Sequence, residues 1–279
     1  MEATLGISPP AERQTKIDKA NMAFWDEMCG SALARKLGIT DSSPRSLKLF
    51  DDWYMAYYPY LERYIPFGTM QGKRVLEIGL GYGTVAQRLM EHGADYHGLD
   101  IAANPVVMAR HRLELLGKQG TVNQGSVLEC PFDSDTFDWV ITIGCLHHTG
   151  DMAHAIKEVH RVLKPGGQAL VMVYNAASYR QLSEDPWATI RLALAPGKRI
   201  ESSESMRRAY DSNKEGDAAP QTEFVTARQL RYLCRDFRTF RVRKENIGQD
   251  GWFKKTPRPK ALRYYGPLLG LDLYARLEK

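Results

Sequence analysis

Short apolar runs alternate with amphipathic stretches from residue 74 to the end of the chain. The apolar runs predict seven strands, at residues 75–78, 96–99, 121–124, 137–143, 168–174, 240–244 and 271–277. The amphipathic stretches predict helices at residues 85–92, 105–116, 152–163 and 227–234, and residues 164–167 predict a turn. This alternation is typical of a parallel sheet covered on both faces. It predicts an α/β fold with a doubly wound, mostly parallel, seven-stranded sheet.

Two regions lie outside this alternation. Residues 1–70 are rich in aromatic side chains and predict an N-terminal helical lid segment. Residues 71–279 would form the sheet domain, and residues 176–225 are too long for a simple crossover within it. They predict a cap inserted after the fifth strand, with a helix at residues 186–194 and a polar loop at residues 211–220. Both regions would cover the sheet edge where ligands bind.

A glycine-rich turn follows the first predicted strand. Gly79, Gly81 and Gly83 occupy alternate positions, so backbone amides can approach a ligand without an intervening Cβ atom. A dinucleotide fingerprint would have a third glycine where this chain has Thr84. A phosphate cradle would have Lys and Ser or Thr after the last glycine, and the chain has neither. The spacing therefore indicates a cofactor other than a dinucleotide or a nucleoside triphosphate.

Two carboxylates accompany the turn. Glu77 precedes it by two residues and suits a cationic group better than a pyrophosphate. Asp100 ends the next predicted strand, about twenty residues beyond the glycines, where an acid commonly accepts hydrogen bonds from ribose hydroxyls. S-adenosylmethionine has an ammonium, a sulfonium and a ribose but no phosphate. It is the cofactor that these residues favour.

Composition and charge exclude some classes of protein. The chain has 279 residues, and its longest apolar run, residues 169–174, is far too short to span a membrane. The N-terminus lacks the pattern of a signal peptide, so a cytoplasmic location is expected. The cysteines form no C-x-x-C pair, which argues against a zinc site or a disulfide framework; they are Cys29, Cys130, Cys145 and Cys234.

The formal net charge of +5 is unevenly placed, because basic residues outnumber acids between residues 228 and 263. Such a cluster is compatible with a nucleic-acid surface. Four arginines also recur there at helix-surface spacing beside Leu230 and Leu233: Arg228, Arg231, Arg235 and Arg238. That spacing is typical of the solvated face of an amphipathic helix, which is the favoured interpretation.

With these residues identified, the chain resembles the class I, Rossmann-like S-adenosylmethionine-dependent methyltransferases, particularly their type 11 branch. The resemblance lies in residues 75–84, 98–100, 131–132, 137–138, 146–148 and 161–167. It implies cofactor contacts at Glu77, Gly79, Gly81, Gly83 and Thr84 for the methionine part, Asp100 for the ribose, and Ile101, Ser126, Val127 and Leu128 for the adenine. Gly144 would offer its carbonyl to the cofactor ammonium. The commonest pattern of the family has Asp where this chain has Ser126.

Candidate catalytic residues follow the fourth and fifth strands. His147, His148 and Tyr174 would lie at the carboxyl edge of the sheet, and a histidine there could take a proton from a hydroxyl acceptor. The alternative is that one histidine packs beneath the cofactor loop and the other only shapes the pocket. No metal is expected, because residues 144–148 lack the acidic ligands of catechol-type enzymes.

Candidate acceptor-binding residues come from the two covering regions. They are Trp25, Tyr54, Tyr58, Asn175, Tyr179 and Arg180. Arg180 would hold a carboxylate in a bidentate grip or else lie in solvent. The aromatic residues would close the site over a sulfonium or else belong to the core.

The sequence thus predicts a metal-independent methyltransferase that acts by in-line displacement on N or O of a small molecule and releases S-adenosylhomocysteine. Three alternatives stay open. They are another S-adenosylmethionine reaction such as non-methyl alkyl transfer or cyclisation, methylation of RNA through the basic C-terminal third, and a non-enzymatic cofactor-binding module. The sequence does not indicate the acceptor or the oligomeric state.

Overall fold

The computed structural model describes residues 8–28, 31–194 and 202–279. In these residues one sheet has the order β3-β2-β1-β4-β5-β7-β6. Its strands are β1 (Arg74–Ile78), β2 (Asp95–Asp100), β3 (Gly120–Gln124), β4 (Phe137–Ile143), β5 (Leu163–Tyr174), β6 (Thr239–Glu245) and β7 (Asp272–Glu278). Strands β1 to β5 pair in parallel, whereas β7 runs antiparallel to both β5 and β6. The predicted mostly parallel, seven-stranded sheet is confirmed.

The prediction of a free turn at residues 164–167 is wrong, because these residues belong to β5. The register between β4 and β5 shifts between the pairs Phe137–Leu163 and Trp139–Gln168, so the intervening residues form a bulge. Gly166 adopts a left-handed φ of 76° and donates its N–H to the carbonyl of Lys279. The end of the chain therefore pairs with residues that the sequence indicates as a turn.

The helices between the strands start and end within two residues of the predicted positions. The helices of the described residues are α1 (Ala11–Met28), α2 (Ser31–Lys36), α3 (Pro44–Tyr57), α4 (Leu61–Tyr64), α5 (Thr84–Glu91), α6 (Ala103–Leu116), α7 (Met152–Val162), α8 (Tyr179–Glu184), α9 (Pro186–Leu194), α10 (Glu204–Tyr210), α11 (Ala227–Leu233), α12 (Arg258–Tyr264) and α13 (Gly266–Leu269). Four of these, α8, α10, α12 and α13, were not predicted; none has more than seven residues, which leaves only a weak helical period.

Two apolar layers lie on the two faces of the sheet. Leu76 and Ile78 of β1 pack in the layer that contains α7 and α11, whereas Val75 packs in the layer that contains α5 and α6. This alternation along one strand is expected for a sheet covered on both sides. The second layer also contains Tyr60 and Tyr64 from the N-terminal region, so α4 shares the core of the sheet.

The predicted covering regions contain helices, and the described residues 211–220 of the cap form a loop without a helix. Helix α1 contacts α6, and the predicted helix at residues 186–194 is α9. Some residues of these regions lie outside the described residues: 1–7 and Cys29 of the predicted lid segment, and 195–201 of the predicted cap. No helix within the described part of the chain is long and apolar enough to cross a bilayer.

Candidate active site

A cavity of about 220 Å³ opens at the carboxyl ends of β1, β2, β3 and β4, under α1. Strand order reverses between β1 and β4, which is where open α/β sheets bind ligands. Backbone and side chains from five parts of the chain line the cavity: Asp18, Asn21, Trp25, Ile78, Gly79, Gly81, Leu99, Asp100, Ile101, Gly125, Ser126, Val127, Ile143, Gly144, Cys145, His148 and Thr149. Nine of the residues predicted for cofactor, acceptor or catalysis are therefore brought to one space.

The glycine turn forms one wall of the cavity. Gly79 and Gly81 adopt left-handed φ values of 81° and 54°. A Cβ on Gly79 would lie 2.6 Å from the Cβ of Cys145, so the loops after β1 and β4 can approach only with glycine there. A Cβ on Gly81 or Gly144 would meet nothing within 4 Å, because both positions face open space.

Gly83 and Thr84 lie behind this wall and do not line the cavity. A Cβ on Gly83 would lie 2.8 Å from the Arg112 side chain. The Thr84 hydroxyl donates to the Asp51 carboxylate at 2.6 Å, and Arg112 forms an ion pair with the same carboxylate. These two residues therefore hold the loop against α3 and α6, and a direct cofactor contact for either stays a prediction.

The Asp100 side chain, at the end of β2, connects the loop after β1 with the loop after β2. Its carboxylate accepts hydrogen bonds from the amides of Leu80 at 2.8 Å and Ala102 at 2.9 Å, one on each oxygen. Each oxygen keeps a second lone pair, which suits a pair of ribose hydroxyls. Burial raises the pKa of Asp100 to about 6, and the backbone hydrogen bonds oppose that rise. Asp100 thus has the free lone pairs and the position beside the cavity that the predicted ribose contact requires.

Glu77 is buried and is not among the cavity-lining residues. The Tyr96 hydroxyl donates to its carboxylate at 2.7 Å. Burial raises the pKa of Glu77 to about 8, since the hydrogen bond from Tyr96 only partly compensates for lost solvation. A cation bound near Glu77 would lower that pKa, which is consistent with the predicted contact of Glu77 to the methionine part of the cofactor.

The opposite end of the cavity lies beside β3. Ile101 and Val127 line this end of the cavity, whereas Leu128 packs in the core and does not line the cavity. The Ser126 hydroxyl accepts a hydrogen bond from the Leu128 amide at 3.2 Å and caps a 3-10 helix, Val127–Glu129. The apolar side chains of Ile101 and Val127 suit a planar ring, as the resemblance implies for adenine.

Helix α1 closes the cavity with polar contacts at one face. Gln14 Nε2 donates to the carbonyl of Thr149 at 2.8 Å, and Asn21 Nδ2 donates to that of His148 at 2.6 Å. The Trp25 ring packs on the His148 ring with centroids 4.6 Å apart. Asp18, whose pKa is raised by burial, lines the cavity from the same face. Asp18 and Asn21 were not predicted, although with Gln14 and Trp25 they recur at helical spacing.

The two histidines have different positions. His148 lines the cavity, whereas His147 lies between His148 and Tyr174 with ring centroids 4.1 Å from each. Burial lowers the pKa of both, more strongly for His147. Neither ring nitrogen of His147 has a hydrogen-bond partner among the described residues. His148 is the better placed of the two for contact with an acceptor.

Tyr174 connects the histidines to the cap. Its hydroxyl donates to the two oxygens of Asp211 at 3.1 and 3.0 Å. Asp211 in turn lies 3.6 Å from Nε2 of His148. The sequence indicates Asp211 only as the start of a polar loop, because nothing local to residue 211 indicates the histidine that it meets.

The other predicted acceptor residues already have structural partners. Asn175 Nδ2 donates to the carbonyl of Gly270 at 2.7 Å, and Arg180 and Tyr179 both bind the Asp250 carboxylate. Tyr54 and Tyr58 pack against each other at 4.8 Å, and burial raises the pKa of both. These residues are not among those that line the cavity. Their contact with an acceptor stays a prediction.

Within the described residues, no group of three or more His, Cys, Asp or Glu side chains is placed to hold a metal ion. The sheet order, the antiparallel β7 and the ribose-type acid beside a glycine loop define the class I S-adenosylmethionine-dependent methyltransferases. Residues 76–171 match the family model described as Methyltransferase domain. The chain therefore carries a class I methyltransferase domain, and S-adenosylmethionine is the cofactor of such a domain.

Known proteins share this part of the chain. Phosphoethanolamine N-methyltransferase 2 of Caenorhabditis elegans is 28% identical over 166 residues, which are 58% of this chain and 36% of that protein. Ubiquinone biosynthesis O-methyltransferase of Aliivibrio fischeri is 32% identical over 105 residues, which are 37% of this chain and 45% of that protein. The chain thus spans less than half the length of these two relatives.

Among solved structures, the YcgJ protein of Bacillus subtilis matches with a TM-score of 0.55 and 20% identity over 80% of this chain and 98% of that chain. This likeness shows the fold.

Proposed function

We propose that the whole chain is a methyltransferase that transfers a methyl group from S-adenosylmethionine to N or O of a small molecule, without a metal. The observation that carries the proposal is the shared cavity, in which the glycine loop, Asp100 and His148 face one space. Donor-side groups and a titratable group for the acceptor thus lie within reach of one bound cofactor. The N- and O-methyltransferase relatives are consistent with either acceptor atom.

The residues present fit S-adenosylmethionine. The backbone at Gly79 and Gly81 offers an open wall, Asp100 has lone pairs for the ribose, and Ile101 with Val127 suits the adenine. When bound, S-adenosylmethionine would supply a methyl carbon on a sulfonium for transfer to the lone pair of the acceptor, with the carbon–sulfur bonding electrons left on sulfur. The protein orients the acceptor and excludes water from the cavity.

A small acceptor is favoured because α1 covers the cavity. Trp25 stacks on His148, and Asn21 binds the backbone of the same residue, so the space beside His148 is roofed. A polymer would reach the cavity only if α1 moved away. The predicted solvated helix face holds only for Arg228 and Arg231, which are exposed on α11 while Leu230 and Leu233 are buried; Arg235 and Arg238 are exposed beyond the end of that helix. A cytoplasmic location also stays a prediction.

The first experiment measures binding of S-adenosylhomocysteine by calorimetry in two variants. Asp100→Ala should weaken binding at least about tenfold, because it removes an ionised acceptor for the ribose. Asp95→Ala is the matched control, since Asp95 begins the same strand, is about half exposed and pairs with Arg74. Equal affinity in the two variants would contradict the proposed cofactor position.

The second experiment follows product formation with S-adenosylmethionine and a panel of small amines, phenols and alcohols. The proposal expects S-adenosylhomocysteine together with a methylated acceptor. Methylthioadenosine in its place would indicate another alkyl transfer, and binding without turnover on any acceptor would indicate a binding module. Tight RNA binding that weakens steeply with salt would instead support an RNA substrate.

A further inference from the structure

The connection between β6 and β7 carries charge of one sign. Residues 251–271 contain five basic residues and no Asp or Glu. Arg258 is buried, with its guanidinium carbon 3.6 Å from the centroid of the Tyr57 ring. The other four are exposed and form no ion pair with a described residue: Lys254, Lys255, Lys260 and Arg263. This connection therefore presents positive charge that its described surroundings do not neutralise.

Large apolar side chains are exposed between these cations. Tyr264 at the end of α12 keeps 60% of its surface exposed, and Leu268 in α13 keeps 65%. Tyr265, the one residue between the two helices, also has a right-handed helical backbone. Lys260 and Arg263 therefore share one helical face with Tyr264 and Leu268, at spacings of three, four and eight residues. We call these four residues the α12–α13 face. Cations beside exposed aromatic and aliphatic side chains are typical of a surface that lies on a bilayer.

A groove of about 690 Å³ adjoins the α12–α13 face, between α4, β6 and α12. Arg63 and Arg243 line it together with Arg263. Glu245 is the one acid among its described lining residues. This carboxylate already accepts from the Tyr64 hydroxyl at 2.7 Å and lies 3.5 Å from the Arg63 guanidinium. Arg243 and Arg263 form no ion pair within the described chain, so the groove offers two cations to a phosphate or carboxylate.

The connection that bears this face leaves the carboxyl edge of the sheet. β7 begins at Asp272, which pairs with Tyr174 at the carboxyl end of β5 and with Glu245 at the carboxyl end of β6. The cofactor cavity opens at the same edge, at the ends of β1 to β4. A surface bound to the α12–α13 face would therefore lie at the end of the sheet where the acceptor must enter.

The occupant of such a face is both anionic and apolar. A second copy of this chain would place like charges opposite each other, which is unfavourable. RNA would match the cations and could stack on Tyr264, but Leu268 has no ring for a base to stack on. An anionic bilayer matches both parts, because its phosphates pair with Lys and Arg while Tyr and Leu enter the boundary between headgroups and acyl chains.

We infer that the α12–α13 face and the adjoining groove dock this protein on an anionic phospholipid bilayer. No spanning helix is needed, because a surface of this kind lies on a bilayer and does not cross it. Lys260, Arg243 and Arg263 would pair with lipid headgroups, and Tyr264 with Leu268 would lie at headgroup depth. Docking goes beyond the proposed function and does not depend on it, since none of these residues lines the cofactor cavity.

The test is cosedimentation of the full chain with vesicles of phosphatidylcholine alone or of phosphatidylcholine and phosphatidylserine in equal parts. The wild type should bind the phosphatidylserine vesicles and be released as the salt concentration rises, with much weaker binding to phosphatidylcholine. Lys260→Ala combined with Arg263→Ala should weaken binding about twenty-five-fold, because each cation near an anionic membrane contributes about fivefold. Tyr264→Ser combined with Leu268→Ser should weaken binding at least about tenfold, because it removes the apolar area that enters the bilayer.

The matched control is Arg228→Ala combined with Arg231→Ala. These two arginines are exposed at the same spacing on α11, whose leucines pack in the layer on the other face of the sheet. The control should keep wild-type vesicle binding, and a loss equal to that of the Lys260 and Arg263 variant overturns the inference.

Two further results would overturn it. One is wild-type binding without a preference for phosphatidylserine, which decides the matter even if a variant does not fold. The other is salt-dependent RNA binding that requires Lys260 and Arg263 in a protein that ignores vesicles. Affinity for S-adenosylhomocysteine should be unchanged in all three double variants, which shows that they are folded. A failure of docking with that affinity retained would leave the proposed function intact.

Discussion

Asp272 is a buried acid whose ionised form is disfavoured by the loss of solvation. It begins β7, pairs in register with Tyr174 and Glu245, and keeps only 1% of its surface exposed. Its Oδ2 has no hydrogen-bond partner within the described residues. Burial raises its pKa to about 7, while Asn246, Arg180 and Arg258 oppose the rise. The folded protein therefore holds a proton at this site that the unfolded chain releases at lower pH.

This linkage gives a signed prediction. An aspartate in the unfolded chain has a pKa of about 4. The stabilisation of the folded state by the proton on Asp272 is therefore complete below that pH and is lost as the pH rises to about 7. Between about pH 5 and pH 8 the free energy of unfolding of the wild type should fall by about 2 kcal/mol more than that of Asp272→Asn. Urea denaturation at both pH values measures the difference. Parallel pH profiles for the two proteins would contradict the assigned pKa.

At the scale of elements, α1 is attached mainly through polar contacts. Of its described side chains only Asn21 and Phe24 are buried. Its remaining attachments include Gln14 to Thr149 and Asp26, whose carboxylate accepts from the amide of Asn104 at 2.7 Å. A helix held by few apolar contacts opens at low free-energy cost. Such a helix suits a lid that must admit both the cofactor and the acceptor.

The lid predicts a link between α1 and cofactor affinity. Asn21→Ala leaves the buried carbonyl of His148 without its donor, which costs about 1 to 2 kcal/mol. Binding of S-adenosylhomocysteine should weaken about five- to thirtyfold if α1 closes over the ligand. Lys19→Ala, on the exposed face of the same helix, should have no effect. Removal of residues 1–45 with cofactor affinity intact would show that α1 is not a lid.

At the scale of the molecule, one buried ion pair connects α3 to the sheet domain. Arg112 of α6 has a side chain with 0% exposure and binds both oxygens of Asp51, at 2.7 and 2.9 Å. Its Nε donates to the carbonyl of Tyr82 in the glycine loop at 2.9 Å. The same guanidinium thus joins the N-terminal region, α6 and the loop. The lid segment and the sheet domain are coupled through it.

Two neighbouring carboxylates test this coupling. Asp51→Ala should lower the free energy of unfolding by about 3 kcal/mol, because it leaves Arg112 buried without its partner. Asp52→Ala should change it by no more than about 1 kcal/mol, since the pair of Asp52 with Lys48 is largely exposed. Equal losses in chemical denaturation would show that the Asp51 pair adds nothing beyond a surface ion pair.

Residues 75–174 were predictable because their signals are local. The alternation of apolar residues in β1 follows from burial on both faces, and Gly79 adopts a left-handed φ in the turn directly after that strand. Asp100 ends its strand at a fixed distance along the chain. The bulge in β5 was not predictable, because the pairing that forms it comes from Lys279, more than a hundred residues later.

The sequence by itself determined the positions along the chain of the seven strands and of the helices between them, the glycine-rich turn and the acid predicted for the ribose, since each depends on periodicity or on residues close in the chain. Only the tertiary structure decided which side chains complete the cavity. Asp18 and Asn21 reach the cavity from α1, and Asp211 meets His148 from the cap. Asn21 and His148, which are hydrogen-bonded, lie 127 residues apart in the chain. Such contacts arise from packing of distant elements, and no local pattern records them.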